Sequence, residues 1–357
     1  MRILSTSRRS QLRLGYVPLV DAAPLLVAKA LGLFEAEGLS VTLSREAGWA
    51  SIRDKIVYGE LDGAHAVCGM TAVVRMGVNV PAKRCVTALV LNTGGGAITF
   101  SNRLRDRGLD NRAAFAREAM VGRLHERPLL FGVVSLYSSH YFMLREWMDM
   151  TGLTLGRDAN LVVLPPPLLP SCLASGYLDG FCAGEPWNSV AKLSGGAWCE
   201  VPNVKDNFST PEKVFLVTEE FAEEHSQSHT SLIRALLRAC AWCDNPKNRR
   251  DLVALLGVRS VLNLPQQMMM PSLVEGFTCG HGSGRTIPAT EFLRFSGDDV
   301  NRPTRAKAEW MLRKLDNPES YAFCQPESLF REDIFDSAAF MKGGMGNAES
   351  GAPVLKS

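Results

Sequence analysis

The 357-residue chain has no run approaching the roughly 18 consecutive apolar residues that a membrane-spanning helix needs. Its first residues, Met-Arg-Ile-Leu-Ser-Thr-Ser-Arg-Arg-Ser-Gln, hold arginines but no apolar stretch of about 7–15 residues and no small-residue cleavage site. As written the sequence carries no export signal, so a cytoplasmic location is expected, with a periplasmic one as the alternative if the true start lies upstream. Charge of one sign is also missing. Lys+Arg and Asp+Glu number 39 and 37, a balance of +2 with no basic stripe or acidic tail, so no nucleic-acid surface is expected. The nine cysteines are odd in number and dispersed, several inside apolar runs, which fits buried thiols in a reducing compartment rather than a disulfide framework. Cys240-Ala241-Trp242-Cys243 sits in a helical pattern without a second pair at zinc spacing, so neither a metal nor a redox role is expected of it.

What is present is 46% apolar content in a chain long enough for two α/β lobes. A strand at 12–17 leads through Pro18 and Asp21, a candidate N-cap, into an apolar helix at 22–34 with Pro24 in its first turn. Gly38 ends that unit, Leu39–Leu43 alternates as a strand, and a helix follows Gly48-Trp49. Gly59-x-Leu61-Asp62-Gly63 then recurs as Gly176-x-Leu178-Asp179-Gly180. In each copy Gly suits a left-handed helix stop, Leu a core position and Asp-Gly the turn into a parallel strand, so the chain reads as two lobes on a similar plan.

Between the copies, Gly94-Gly95-Gly96 joins two strand patterns, as a tight crossover between lobes or as a run of backbone N–H groups touching a ligand. It matches neither a Walker loop nor G-x-G-x-x-G opening a helix. Residues 102–128 are polar and Arg-rich and read as a surface helix with loops, and 129–134 reads as the first strand of the second lobe. Ser138-Ser139-His140 opens an apolar helix, and a short buried strand runs into Gly184-Glu185-Pro186-Trp187, where a further helix, 186–193, is expected. Two helix starts facing one cleft favour a small anion. A strand ending at Val217 returns toward the first lobe, and helices are expected at 230–243, 251–256 and 305–315. The expected organisation is 12–100 for the first part of lobe 1, 101–206 for lobe 2, 207–342 for the return to lobe 1, and a disordered tail at 343–357.

Several stretches together resemble the nitrate/bicarbonate family of ABC-transporter solute-binding proteins: 15–28, 49–55, 61–65, Pro165-Pro166-Pro167 and 180–187. The resemblance runs from about residue 12 to 245. It implies a two-lobed type II periplasmic-binding-protein-like α/β fold with an inter-lobe cleft, and no cofactor, metal or catalytic group. It also implies nitrate, nitrite or bicarbonate as ligand, and an ABC permease as partner. A leaderless branch of the family, the NasS-type sensors, implies instead a cytoplasmic nitrate sensor holding a NasT-type antiterminator. Carried over by motif, the family's nitrate contacts fall on Trp49, Gly96, His140, Gly184 and Lys213. Lys213 would supply charge, His140 a ring N–H, Gly184 a backbone N–H at a helix start, and Trp49 an indole N–H or a wall. On this pattern His140 and Lys213 favour nitrate over bicarbonate, and alanine at either position is expected to abolish most binding with folding intact.

Two departures stand out. Gly94-Gly95-Gly96 replaces the family's amide side chain, and the His- and Trp-rich segment of the C-terminal third gives way to residues 292–303. On the same fold class some proteins are enzymes making thiamine pyrimidine precursors. Cys182 lies near the proposed cleft, but no Cys–His–acid or Ser–His–Asp spacing emerges, so a binding protein is expected.

Overall fold

A computed structural model describes residues 11–202, 210–280 and 284–340. The expected tail at 343–357 and the first part of the returning segment, 207–209, lie outside the described residues. Two mixed sheets carry the fold. The first has the order β13-β4-β10-β3-β1-β2, built from β1 (Gln11–Tyr16), β2 (Ser40–Arg45), β3 (Gly63–Val67), β4 (Cys85–Gly94), β10 (Lys213–Thr218) and β13 (Leu293–Arg294). The second has the order β7-β6-β8-β5-β9, from β5 (Gly96–Ser101), β6 (Leu129–Val133), β7 (Ala159–Val163), β8 (Gly180–Gly184) and β9 (Ala197–Glu200). A two-stranded ribbon, β11 (Phe277–Thr278) with β12 (Thr286–Ile287), is separate from both.

The repeated pentapeptide does the same work in each sheet. Gly59 and Gly176 have φ of +72° and +81°, the left-handed region that ends a helix without a Cβ clash. Leu61 and Leu178 are buried. Asp62 exchanges bonds with the parallel neighbour β1: its Oδ2 accepts from Arg13 N at 2.8 Å and its N–H donates to Arg13 O at 2.9 Å. Asp179 treats β6 identically, accepting from Leu130 N and donating to Leu130 O, both at 2.9 Å. Each carboxylate thus pairs an N–H of the neighbouring strand one residue before the parallel ladder begins. Alanine at Asp62 or at Asp179 is therefore expected to destabilise the fold by about 1–3 kcal/mol, read as a lowered urea midpoint at unchanged slope.

The chain changes sheets at Gly95. There β4 ends, β5 begins and Gly95 takes φ +82°, so the glycine loop is a crossover. After β9 the chain is back in the first sheet with β10, which inserts antiparallel between β3 and β4. The strand β10 therefore carries Lys213 back into the first sheet, opposite Val67 and Asn92. In the second lobe Phe100 of β5 stacks on Trp198 at 4.5 Å and meets Trp147 at 5.0 Å, so an aromatic core backs the helix Ser139–Thr151.

Most expected helices occur: Ser226–Asp244, Arg249–Gly257 and Arg305–Lys314. Two differ. The first helix is shorter, Ala23–Ala30, because the chain breaks at Gly32 (φ +66°) before a second turn, Leu33–Ala36. The Arg-rich segment forms three short helices, Asn102–Asp106, Arg112–Met120 and Arg123–Glu126. Cys240 and Cys243 are both buried on the helix Ser226–Asp244, with Cys240 Sγ 3.7 Å from Leu91 O. No helix among the described residues is long and apolar enough to cross a membrane.

On the same helix His229 is buried against Phe215 and Phe221, and neither ring nitrogen has a hydrogen-bond partner. Burial, aided by Arg331, pushes its pKa down to about 4. The unfolded chain therefore takes the proton first as pH falls. The ring's contribution is whole above about pH 6.5 and is lost toward pH 4, at about 1.4 kcal/mol per pH unit. His229→Leu is expected to remove that share of the slope in chemical denaturation at pH 4.5–6.5; an unchanged slope would show that the ring is hydrated in the fold.

Candidate functional site

The five residues carried over by motif come together where the two sheets face each other. Lys213, at the start of β10, is fully buried, and its Nζ lies 2.5 Å from Glu212 Oε1 and 3.0 Å from Asp21 Oδ2. His140 comes from the opposite lobe. Ser138 caps its helix, Ser139–Thr151, with Oγ accepting from Tyr141 N at 3.2 Å, as the hydroxyl pattern requires. That cap holds the His140 ring over the junction, with Nε2 3.1 Å from Glu212 Oε1. The approach is off the N–H axis, so neither His140 nitrogen makes a hydrogen bond. Beside it, Ser139 Oγ donates to Glu212 Oε2.

Trp49 begins the helix Trp49–Val57 and roofs the cluster. Lys213 Nζ lies 5.6 Å from its ring centroid, the His65 ring is 5.2 Å away, and its Nε1 is buried without a partner. Gly96 and Gly184 are cross-strand partners in the β5–β8 pair, and the His140 ring lies against both. A Cβ on Gly96 would come within 2.8 Å of His140 Cδ2, so only glycine lets the ring rest there. Gly184 differs from expectation. It ends β8, and the helix begins only at Trp187, so Gly184 N–H is not one of that helix's free first-turn groups. Trp187 instead ties the lobes, its Nε1 donating to Pro18 O at 3.1 Å, next to Val20 N donating to Glu185 O at 2.8 Å.

Four further residues belong to the cluster. Asp21, read as a helix N-cap, makes no cap; its Oδ1 pairs with His65 Nε2 at 2.8 Å and its Oδ2 with Lys213. Glu212 is buried like its neighbour Lys213. His65 and Ser139 went unassigned. One signal was available for His65: a histidine inside the buried strand Gly63–Val67 requires a polar partner. The Glu185 carboxyl is held by Ser189, whose N and Oγ both donate to it, and burial pushes its pKa up to about 7.

The electrostatics follow from the burial. Desolvation pushes His140 down to about 4, with Lys213 adding to the effect, and lowers His65 as well. At neutral pH both rings are uncharged, so the His140–Glu212 contact is that of a carboxylate with a neutral imidazole. Burial opposes charge on Lys213, yet Asp21 and Glu212 hold its pKa above the ordinary lysine value. Burial likewise opposes ionisation of Glu212, but His140, Lys213 and the Ser139 hydroxyl hold it below the usual carboxylate range. Asp21 is held well below that range: desolvation opposes ionisation, and Lys213 and His65 outweigh it. Two carboxylates against one ammonium leave the cluster at −1.

Cys182 lies in the adjoining strand with its Sγ 3.9 Å from Met143 Sδ, and burial pushes the thiol well above its ordinary value, which leaves it inert as a nucleophile at neutral pH. No group of three or more metal-ligating side chains able to hold a metal occurs among the described residues. Beside Glu212 and Ser139, bounded by Gly94, Gly95, Gly96 and Met143, a cavity of about 10 Å³ has room for about one water.

The profile of the NMT1-like family matches residues 5–257. The bicarbonate transport ATP-binding protein CmpC of Synechocystis sp. is 35% identical over 306 residues, covering 85% of this chain and 45% of that protein. The nitrate import ATP-binding protein NrtC of the same organism is 31% identical over 338 residues, covering 92% and 49%. The chain thus spans about half the length of these relatives. The nitrate/nitrite binding protein NrtA of Nostoc sp. is 25% identical over 315 residues, covering 84% of this chain and 69% of that one. Among solved structures, the periplasmic nitrate-binding protein NrtA from Synechocystis superposes with a TM-score of 0.84 at 23% identity, covering 93% of this chain and 89% of that chain. The alkanesulfonate-binding protein SsuA from Xanthomonas axonopodis superposes at 0.63 with 17% identity, covering 87% and 96%. These superpositions show the two-lobed, periplasmic-binding-protein-like fold.

Proposed function

The chain belongs to the NMT1-like family, and from that premise and the geometry of the cluster we propose that it clamps a small planar oxyanion, nitrate or nitrite, between its lobes. One observation supports this most. Lys213 from the first sheet and Ser139 from the second lobe donate to a single planar carboxylate, Glu212, and His140 Nε2, without a hydrogen bond of its own, stands 3.1 Å from the oxygen that Lys213 Nζ holds at 2.5 Å. A donor set that fits a carboxylate so placed also fits a planar monoanion of similar shape. The unpartnered Trp49 Nε1 and the single N–H of the neutral His140 ring are the further donors that such a ligand would satisfy. Lobe 1 is proposed to comprise the segments before Gly95 and from Lys213 onward, and lobe 2 the segment between them.

Closure around the anion is the signal, since a ligand shifts the open–closed balance only through its preference for the closed form. In the first reading a partner regulator of NasT type senses that closure, as in a cytoplasmic nitrate sensor. In the second an ABC permease does. The two separate by co-purification with and without nitrate. A bicarbonate ligand has one observation in its favour that the sequence pattern hid: Asp21 and Glu212 present acceptor oxygens, and bicarbonate, unlike nitrate, has a hydroxyl to donate to one of them.

Titration calorimetry with nitrate, nitrite, bicarbonate and sulfate tests the proposal. One monoanion per chain is expected for nitrate or nitrite, and none for sulfate, whose second charge the −1 cluster would oppose. An absence of binding by every monoanion would overturn the reading.

A further inference from the structure

Resting on that reading, we infer that the Glu212 carboxylate is a tethered competitor for the anion: it fills the place between Ser139, His140 and Lys213 that an external oxyanion must take, and it yields that place by taking a proton into the Glu212–His140 pair. The geometry has three parts. Glu212 spends both oxygens, Oε2 on Ser139 Oγ and Oε1 on Lys213 Nζ, and His140 Nε2 stands 3.1 Å from Oε1 without a hydrogen bond to it. The free space alongside is about 10 Å³, enough for one water and not for a four-atom anion. Finally, Trp49, Asp21 and Glu212 are each no more than 5% exposed and Lys213, His65 and His140 are fully buried, so no solvent screens the charges.

The charged and titratable groups facing Glu212 are Asp21 ahead of the first helix, His65 and Cys68 on and after β3, His140 on its helix, Cys182 on β8, Lys213 on β10, and, across the small cavity, Glu146, whose charge is matched by its partner Lys314. Both thiols are pushed far up by burial and both rings are pushed down, so at neutral pH, the Glu146–Lys314 pair cancelling, the unbalanced charges are those of Asp21, Glu212 and Lys213. Their sum is −1, and a bound nitrate would make it −2 in a sealed site. One proton restores the balance. Glu212 and His140, 3.1 Å apart, are the pair placed to hold it while Lys213 turns its ammonium to the ligand. Asp21 stays where it is, fixed between His65 and Lys213.

Calorimetry with nitrate, whose charge is constant between pH 6 and 8, compares the intact protein with Glu212→Gln. The variant keeps the shape and loses the competing charge. It is expected to bind at least about tenfold tighter at pH 7.5 and with little pH dependence, whereas wild-type affinity falls about tenfold per pH unit as pH rises. In two buffers of different ionisation enthalpy the wild type should take up about one proton per nitrate, a readout that stands even if the variant does not fold. Binding by the variant that is equal to or weaker than wild type, with melting unchanged, overturns the competitor role. Zero proton uptake overturns the coupling. If neither protein binds nitrate, nitrite or bicarbonate, the clamp reading itself falls and this inference falls with it. Wild-type binding without gain in the variant overturns this inference alone.

Discussion

Lys213→Ala is expected to abolish measurable nitrate binding and to destabilise the fold by about 3–5 kcal/mol. Loss of binding follows from charge, since Lys213 is the only cation within the cluster at neutral pH. The stability cost follows from what is left behind. Asp21 Oδ2 and Glu212 Oε1 both rely on Nζ, at 3.0 and 2.5 Å, and both carboxylates are buried. Without the ammonium, two like charges face each other out of water. From the sequence alone Lys213 is a ligand group whose removal leaves folding intact; its burial between two acids is the ground for expecting a stability cost as well. The check is a urea melt beside the titration. Adding Glu212→Gln to Lys213→Ala should restore part of the stability and none of the binding. A single variant as stable as wild type would mean that the ion cluster is hydrated in solution.

His140→Ala is expected to weaken nitrate binding about 10- to 100-fold while changing stability by no more than about 2 kcal/mol. The contrast with Lys213 comes from partners. Neither His140 nitrogen has a hydrogen bond, so truncation orphans no other polar group, and Glu212 keeps Ser139 and Lys213. The ring's pKa of about 4 also lies below its unfolded value. Wild type should therefore lose stability between about pH 6.5 and 4 faster than the variant, by about one proton's worth of slope. Equal nitrate affinity in the variant would remove His140 from the site; a collapsed fold would mean that the ring is a structural element of the helix start.

The two-lobe plan was legible because its signals are local. The Gly-x-Leu-Asp-Gly copies state a helix stop, a core leucine and a carboxylate for the neighbouring strand, and all three appear twice in the structure. The fold as a whole was readable for the same reason, through glycine stops, the Ser138 cap and apolar alternation. The site was half legible. His140 and Lys213 could be named from motif, but their counter-charges could not, because burial is a property of the packed lobes. Glu212 next to Lys213 looks like a surface pair until β10 is threaded between β3 and β4. Asp21 ahead of an apolar helix looks like a cap until His65 arrives from the neighbouring strand. Gly184 reads as a helix start only if strand β8 ends earlier than it does.

The most direct test is a crystal structure grown at pH 6 with nitrate. The account predicts a planar anion between Lys213 Nζ and His140 Nε2, under the Trp49 ring, with the Glu212 carboxylate turned away from Lys213. A nitrate bound elsewhere, or a cleft in which Glu212 still holds both Lys213 and Ser139 at saturating nitrate, would contradict it.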